Sequence, residues 1–173
     1  MEITAKQPDE KQYPAHFGQY IQLVEEGPIR ERLIIQLEET KAKLEALNAH
    51  QWEHCYAPGK WTIKEVIGHI IDTEQIMCYR MLCIARGDQT SLPPFDENDY
   101  ANFADYSRWE AADIMDQYVT VRRYTLGLIK HFTETEWKRM GVVSQHPISS
   151  LALAYIIAGH ELHHWNIMNE RYL

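Results

Sequence analysis

The chain has 173 residues, 45% hydrophobic and 24% charged, with 8 Gly and 7 Pro. This composition excludes a disordered or low-complexity protein and predicts one domain spanning residues 1–173. A net charge of −8 with scattered Lys and Arg argues against nucleic-acid binding. No apolar run approaches the roughly 18 residues of a membrane span, and the N-terminus has no apolar run, so we expect a cytoplasmic protein. The cysteines Cys55, Cys78 and Cys83 lack metal or redox spacing and are expected to be reduced and packed.

Two long helices are predicted in the first half of the chain. Pro28 opens a segment whose apolar residues follow the three-four spacing of an amphipathic helix, from Ile29 to Leu47. The capping box Thr62-Ile63-Lys64-Glu65 opens a second helix that runs to about Arg86 and turns His69 inward. Residues 1–27 have no pattern that places them.

The second half predicts two more long helices and one short one. The capping box Ser107-Arg108-Trp109-Glu110 begins a helix that runs to about Phe132, and Thr133-Glu134-Thr135-Glu136 predicts a short helix. The last long helix begins near Ser149 or Ser150 and reaches Arg171, with His160 and His164 on one inner stripe.

Strand signals are almost absent, so the sequence predicts an all-α four-helix bundle with a short extra helix before the last long one. The connection from Gly87 to Tyr106 is long for a compact bundle. It is either a lid or site wall, or a surface segment or dimer contact.

The strongest chemical signal is His160-Glu161-Leu162-His163-His164, which sets two imidazoles one helical turn apart. Two imidazoles on one helix face make half of a metal site, and His69 could supply a third ligand if its helix packs alongside. Three protein ligands leave a fourth position for water, substrate or thiol, as in catalytic sites. Zn²⁺ is the default ion, and Ni²⁺ or Fe²⁺ also accept three imidazoles.

Three other interpretations of the histidines were weighed. His160 and His164 could be core residues satisfied by hydrogen bonds, but two inward imidazoles would both need partners in an apolar setting. The H-E-x-x-H pattern also matches zinc peptidases, yet only Glu170 could serve as their downstream ligand. Glu161 is then a candidate base, a partner of a ligand, or a solvated charge. His50 and His54 repeat the spacing, but Pro58 and Gly59 follow closely, so we treat them as a coincidence.

A few other polar residues are candidates for substrate contact or for support of the ligands. His163 lies off the face of His164 and is expected to be exposed or behind the ligands. Arg80 points inward and either binds a substrate carboxylate or, as the favoured expectation, pairs with a buried acid. The acids considered for that pair are Asp72, Glu74 and Asp96.

These motifs together resemble the DinB-like superfamily, also called the YfiT family of metal-dependent hydrolases. The resemblance rests on Trp61 through His69, on the Pro94 to Tyr100 loop, and on Gly159 through His164. It implies an up-down-down-up four-helix bundle, a metal held by His69, His160 and His164, and a homodimer. It also implies, for some members, thiol-dependent S-transferase or isomerase activity with bacillithiol or mycothiol as cosubstrate.

The leading hypothesis is a metal-dependent transferase or hydrolase that activates a low-molecular-weight thiol or water against a small electrophile, in detoxification or stress. The first rival is a non-catalytic, metal-stabilised dimeric bundle that acts as a binding or stress-response protein. The second rival is a histidine-bearing bundle without metal.

Overall fold

The computed structural model of the protein describes residues 6–173. In chain order the helices are α1 (Gly18–Ile21), α2 (Ile29–Glu45), α3 (Ala49–Trp52), α4 (Ile63–Ala85), α5 (Glu97–Ala104), α6 (Ala111–Ile129), α7 (Glu134–Lys138) and α8 (Ser150–Arg171). Helices α2, α4, α6 and α8 are the long ones and form a four-helix bundle, so the predicted all-α class is confirmed. The predicted short helix before the last long one is α7.

The bundle places α4 and α2 at opposite corners, because each packs against both α6 and α8. Helices α2 and α8 run parallel: Gln36 donates to the carbonyl of Ala158, and Thr40, one turn later, donates to Glu161. Helices α4 and α8 run antiparallel, since Tyr172 just after α8 donates to the carbonyl of Trp61 just before α4.

Helices α4 and α6 run parallel to each other. Gly68 in the first turns of α4 faces Tyr106, which lies just before α6, and Glu74 in the middle of α4 pairs with Arg122 in the middle of α6. The bundle is therefore up-down-down-up, as the resemblance implied.

The parallel α4 and α6 explain the long connection between them. A helix of 23 residues is about 34 Å long, so the chain leaving α4 must return that distance before α6 begins. We call residues 87–110 the crossover. It was predicted as a loop, but it contains α5, which packs on α4, and a single β-bridge joins Leu92 to Val143.

Helix α8 is the centre of the fold. Every residue from Ser150 to Glu161 is buried, so this stretch is enclosed on all sides and not along one stripe only. One side is covered by α1 and the turn after it, where Ile21 and Val24 are buried. Gly159 makes this contact possible, because a Cβ there would lie 2.0 Å from the carbonyl oxygen of Tyr20. In residues 6–173, no helix is long and apolar enough to cross a membrane.

The expectation of no strand was wrong. Strands β1 (Met140–Val143) and β2 (His146–Ser149) form an antiparallel hairpin before α8. Its two turn residues, Ser144 and Gln145, have φ of 50° and 69°. Such turns usually carry Asn-Gly or Asp-Gly, so the sequence lacked the usual signal.

Most helix starts follow their capping residues. Thr62 and Glu65 form the predicted capping box of α4, Thr133 and Glu136 that of α7, and Ser149 caps α8. The predicted start of α6 was wrong: Ser107 donates to Asp105 within a 3₁₀ turn, and the helix begins later, at Ala111.

Replacing Gly159 by Ala should separate α1 from α8. The new methyl group collides with the backbone at Tyr20, and overpacking of this kind costs about 1–3 kcal/mol of the free energy of unfolding. Gly127→Ala is the matched control, because Gly127 is exposed in α6 with nothing within 4 Å of a Cβ. That control should stabilise the helix by about 0.5–1 kcal/mol. Urea unfolding measures both, and equal stability of the two variants would contradict the packing described.

Candidate metal centre

Three histidines from α4 and α8 converge in the core. The Nε2 atom of His160 lies 3.0 Å from Nε2 of His69 and 3.1 Å from Nε2 of His164. His69 and His160 are 4% and 6% exposed, and His164 is half-buried. The sequence predicted this triad, and one ligand atom from each ring lies within 4.8 Å of the others.

The spacing of the nitrogens fits one shared ion. Zn–N bonds of about 2.05 Å at tetrahedral angles separate two ligand nitrogens by about 3.3 Å. The two separations from His160, 3.0 and 3.1 Å, are close to this value, and the remaining pair of ligand nitrogens lies within 4.8 Å. Three imidazole nitrogens are also a donor set that borderline divalent ions prefer.

Burial keeps these imidazoles neutral, which is the form that binds a metal. It lowers the pKa of His69 to about 4 and that of His164 to about 3, and the charges of neighbouring histidines act in the same direction. The pKa of His160 is lowered well below its usual value, again mainly by burial. The Nδ1 atom of His69 lies 3.5 Å from the hydroxyl of Thr73, which helps to orient the ring.

Glycines precede two of the three histidines and allow close packing around them. A Cβ at Gly68 would lie 2.3 Å from the ring of Tyr106, just as one at Gly159 would meet the backbone of Tyr20. The aromatic ring of Tyr20 then lies edge-on to His160, with centroids 5.4 Å apart. Sequence reasoning missed Tyr20 and Tyr106. The available signal for their close approach was the glycine before His69 and the glycine before His160.

Trp61 also contacts the cluster. Its ring centroid lies 5.0 Å from that of His69, so Trp61 forms part of the wall around the cluster.

Glu161 does not face the three imidazoles as a free carboxylate. It is 1% exposed and accepts hydrogen bonds from Arg122, Thr40 and Tyr118. Arg122, fully buried, also pairs with Glu74 and donates to the carbonyl of Leu33. We call Arg122, Glu74, Glu161, Tyr118 and Thr40 the Arg122 network. These contacts favour a structural role for Glu161 over the catalytic role considered from the sequence.

The other candidates have separate positions. Asp72 is half-buried and hydrogen bonds Tyr106. Asp96 caps α5 by accepting from the backbone N–H groups of Asn98 and Asp99. His163 is half-exposed beside the ring of His164, outside the converging nitrogens.

Arg80 is buried but does not form the predicted ion pair. Glu74 pairs with Arg122 instead, and within residues 6–173 no ion pair joins Arg80 to a carboxylate. The guanidinium donates to the carbonyl of Pro93 at 2.7 Å.

A cavity of 270 Å³ is lined by His160, one of the three histidines. Its other walls come mainly from α4, the N-terminal segment and the crossover. The walls include Phe17, Tyr20, Thr73, Met77, Arg80 and Phe95. The crossover therefore walls a site, one of the two roles considered for it.

Comparison with known proteins identifies the family. The profile of the DinB superfamily matches residues 32–168. The chain therefore belongs to the DinB superfamily.

Solved structures share the fold. YfiT from Bacillus subtilis, described as "a probable metal-dependent hydrolase with an unusual four-helix bundle topology", superimposes with a TM-score of 0.71 at 18% identity, over 97% of this chain and 92% of that one. A mycothiol-dependent maleylpyruvate isomerase gives a TM-score of 0.64 at 14% identity, over 84% of this chain and 61% of that one.

A curated relative matches over a shorter stretch. A protein of Oceanobacillus iheyensis named "putative metal-dependent hydrolase" is 30% identical over 61 residues, which are 35% of this chain. The match spans 36% of that protein. The names of these similar proteins thus refer to metal-dependent hydrolases and to a mycothiol-dependent isomerase.

Replacing Glu161 by Gln should lower stability and leave metal affinity unchanged. The substitution removes the charge that accepts from Arg122, and a weakened buried hydrogen bond to a charged group costs about 1–3 kcal/mol of the free energy of unfolding. Glu170→Gln, an exposed position on the same helix, should change neither quantity. Urea unfolding and competition with a zinc indicator measure the two effects. A large loss of zinc affinity at unchanged stability would instead place Glu161 in the metal site.

Acid should destabilise the metal-free protein through the three imidazoles. The unfolded chain takes up protons on histidine below about pH 6.5, whereas His69 in the folded protein stays neutral down to a pKa of about 4. The free energy of unfolding should therefore fall as the pH drops from 6.5 to 4. Urea unfolding of chelator-treated protein measures this slope. His160→Ala should flatten it and His131→Ala, at an exposed position, should not; an unchanged slope in His160→Ala would contradict the prediction.

Proposed function

We propose that the protein is a metal-dependent enzyme that joins a low-molecular-weight thiol, or water, to a small electrophilic molecule. His69, His160 and His164 would hold one divalent ion through their Nε2 atoms. The observation that carries the proposal is the convergence of these three neutral nitrogens beside a cavity. Family membership and the names of the relatives support it.

The donor set supports a catalytic site over a sealed structural one. The cluster found in residues 6–173 contains three histidines and no fourth Cys, His, Asp or Glu. A site with three protein ligands keeps one position for an exchangeable ligand. A bound divalent ion supplies Lewis acidity, which lowers the pKa of a thiol or water at that position.

The residues of the chain would hold the reactants and exclude bulk water. Phe17, Met77 and Phe95 give the cavity apolar walls beside His160. Burial raises the pKa of the Tyr20 phenol, so its O–H remains a hydrogen-bond donor at neutral pH. Glu161 is engaged by Arg122, so the proposal assigns it no proton transfer.

Thiol conjugation to an aryl chloride is a balanced test reaction. The thiol sulfur forms a bond to the ring carbon, the carbon–chlorine bond breaks, chloride leaves, and the thiol proton passes to the solvent. Hydrolysis of an activated ester tests the alternative in which water is the nucleophile.

Metal identity, assembly and location remain part of the proposal. Zn²⁺ is the default ion, with Ni²⁺ and Fe²⁺ as alternatives. By analogy with the family resemblance, we propose a homodimer in the cytoplasm that acts on small molecules and does not bind nucleic acid. Light scattering tests the dimer.

Protein purified without an affinity tag should contain about one divalent ion per chain, as expected for one three-histidine site. His69→Ala and His160→Ala should lose it, because two imidazoles hold a divalent ion far more weakly than three. His163→Ala is the matched control, since its ring lies beside the cluster but outside it, and it should retain the ion. Elemental analysis by mass spectrometry measures the metal content.

Catalytic activity should depend on the bound ion. The parent protein and His163→Ala should conjugate bacillithiol, mycothiol or glutathione to 1-chloro-2,4-dinitrobenzene, or hydrolyse 4-nitrophenyl acetate. Chelation and His160→Ala should lower the rate at least a hundredfold. Turnover that survives chelation would overturn the metal-dependent mechanism. A bound ion that raises the melting temperature, with no turnover of any thiol or ester, would favour the non-catalytic bundle.

A further inference from the structure

Arg80 is a buried cation that the protein leaves without a negative partner. It is 4% exposed, and within residues 6–173 no carboxylate forms an ion pair with it. Its recorded hydrogen bonds are one to the carbonyl of Pro93 at 2.7 Å and a weak one to the sulfur of Met77 at 3.6 Å. A guanidinium has five N–H donors, so most of its capacity is unused.

Burial of an unpaired charge is costly, and proteins normally pair it. The other fully buried arginine, Arg122, follows that rule and contacts two carboxylates. Two aromatic side chains also lie close to Arg80: the Phe95 ring centroid is 5.5 Å from its guanidinium carbon, and the phenol of Tyr100 is nearby. Its isolation therefore points to an anion that is not part of the chain.

Arg80 lines the same cavity as His160. Residues 69, 73, 77 and 80 follow one face of α4, and the last three line the cavity that ends at His160. The Cα atoms of His69 and Arg80 are about 16 Å apart along the helix axis. Long side chains on a helix lean toward its N-terminus, and the guanidinium of Arg80 reaches back to the sulfur of Met77, one turn nearer to His69.

We propose that Arg80 binds a carboxylate of the substrate and that the cavity holds the rest of that molecule, with its reactive atom at the three histidines. This inference rests on the proposed function for the identity of the reacting end. The substrate class is then a small electrophile with one carboxylate several bonds from the carbon that reacts.

The charges of the cavity favour a carboxylate over a phosphate. Arg80 is its only permanent cation among the residues that line it, and Glu97 adds a negative charge at its rim. A monoanion suits one guanidinium, which can meet a carboxylate with two parallel hydrogen bonds. A phosphate dianion would require further cations and would be repelled by Glu97.

The test compares two electrophiles that differ only in charge, 4-chloro-3-nitrobenzoate and 4-chloro-3-nitrobenzamide. Without a thiol no conjugation takes place, so calorimetry on the zinc-loaded protein measures binding, and an assay for released chloride checks that water does not displace it. Arg80→Met should weaken benzoate binding on the order of tenfold to a hundredfold, the effect of losing a charge-assisted hydrogen bond, and change benzamide binding less than twofold. Arg80→Lys should fall between parent and Arg80→Met for the benzoate. Arg123→Met, at an exposed arginine of α6, should match the parent.

Three results would overturn the proposal: benzoate binding unchanged in Arg80→Met, equal weakening of the benzamide, or tighter competition by inorganic phosphate than by acetate. Thermal melting of each variant checks the fold, and Arg80→Lys keeps the test valid if Arg80→Met does not fold.

With a thiol present, the preference for benzoate over benzamide should appear in KM and disappear in the Arg80 variants. Arg80-dependent binding without any turnover would refute the proposed function and support the carboxylate site. Turnover of 1-chloro-2,4-dinitrobenzene without an Arg80-dependent preference would refute only the carboxylate site.

Discussion

The ion pairs of Arg122 are the interaction on which the rest of the bundle depends. From α6, this one guanidinium contacts Glu74 of α4, Glu161 of α8 and the backbone carbonyl of Leu33 in α2, so it touches all four long helices. Breaking a buried pair of this kind leaves an uncompensated charge in the core, which fixes the mutual positions of α4 and α8. Those two helices carry His69, His160 and His164, the proposed metal ligands.

The second constraint is the direction of the helices. Because α4 and α6 are parallel, the chain must return along the bundle, and its return path covers the side of α4 that carries Thr73, Met77 and Arg80. The N-terminal segment covers the opposite wall by resting on Gly159. The cavity between these two coverings is thus a consequence of topology, and α8 brings His160 into its wall.

The sequence was informative wherever a short-range rule applied. Capping boxes located the starts of α4 and α7, and the spacing of His160 and His164 placed both rings on one face of a helix. The hairpin was not predicted, because Ser144 and Gln145 adopt backbone angles that glycine or asparagine usually adopts. The partners of Glu161 were not predicted, because Arg122 and Thr40 are 39 and 121 residues away in the sequence and no local pattern encodes such a contact. The position of Tyr20 over His160 was hidden for the same reason.

The cavity is lined by two kinds of segment that have different structural roles. Its floor belongs to α4 and α8, where a change would disturb both the ion site and the packing of the core. Its rim comes from residues 13–24 and from the crossover, which contribute few core side chains and no metal ligand. Because of this division, residues of the rim can be substituted, which would change the small molecules that bind, without a change in the three-histidine cluster. A single scaffold can in this way diversify into many enzymes with unrelated substrates.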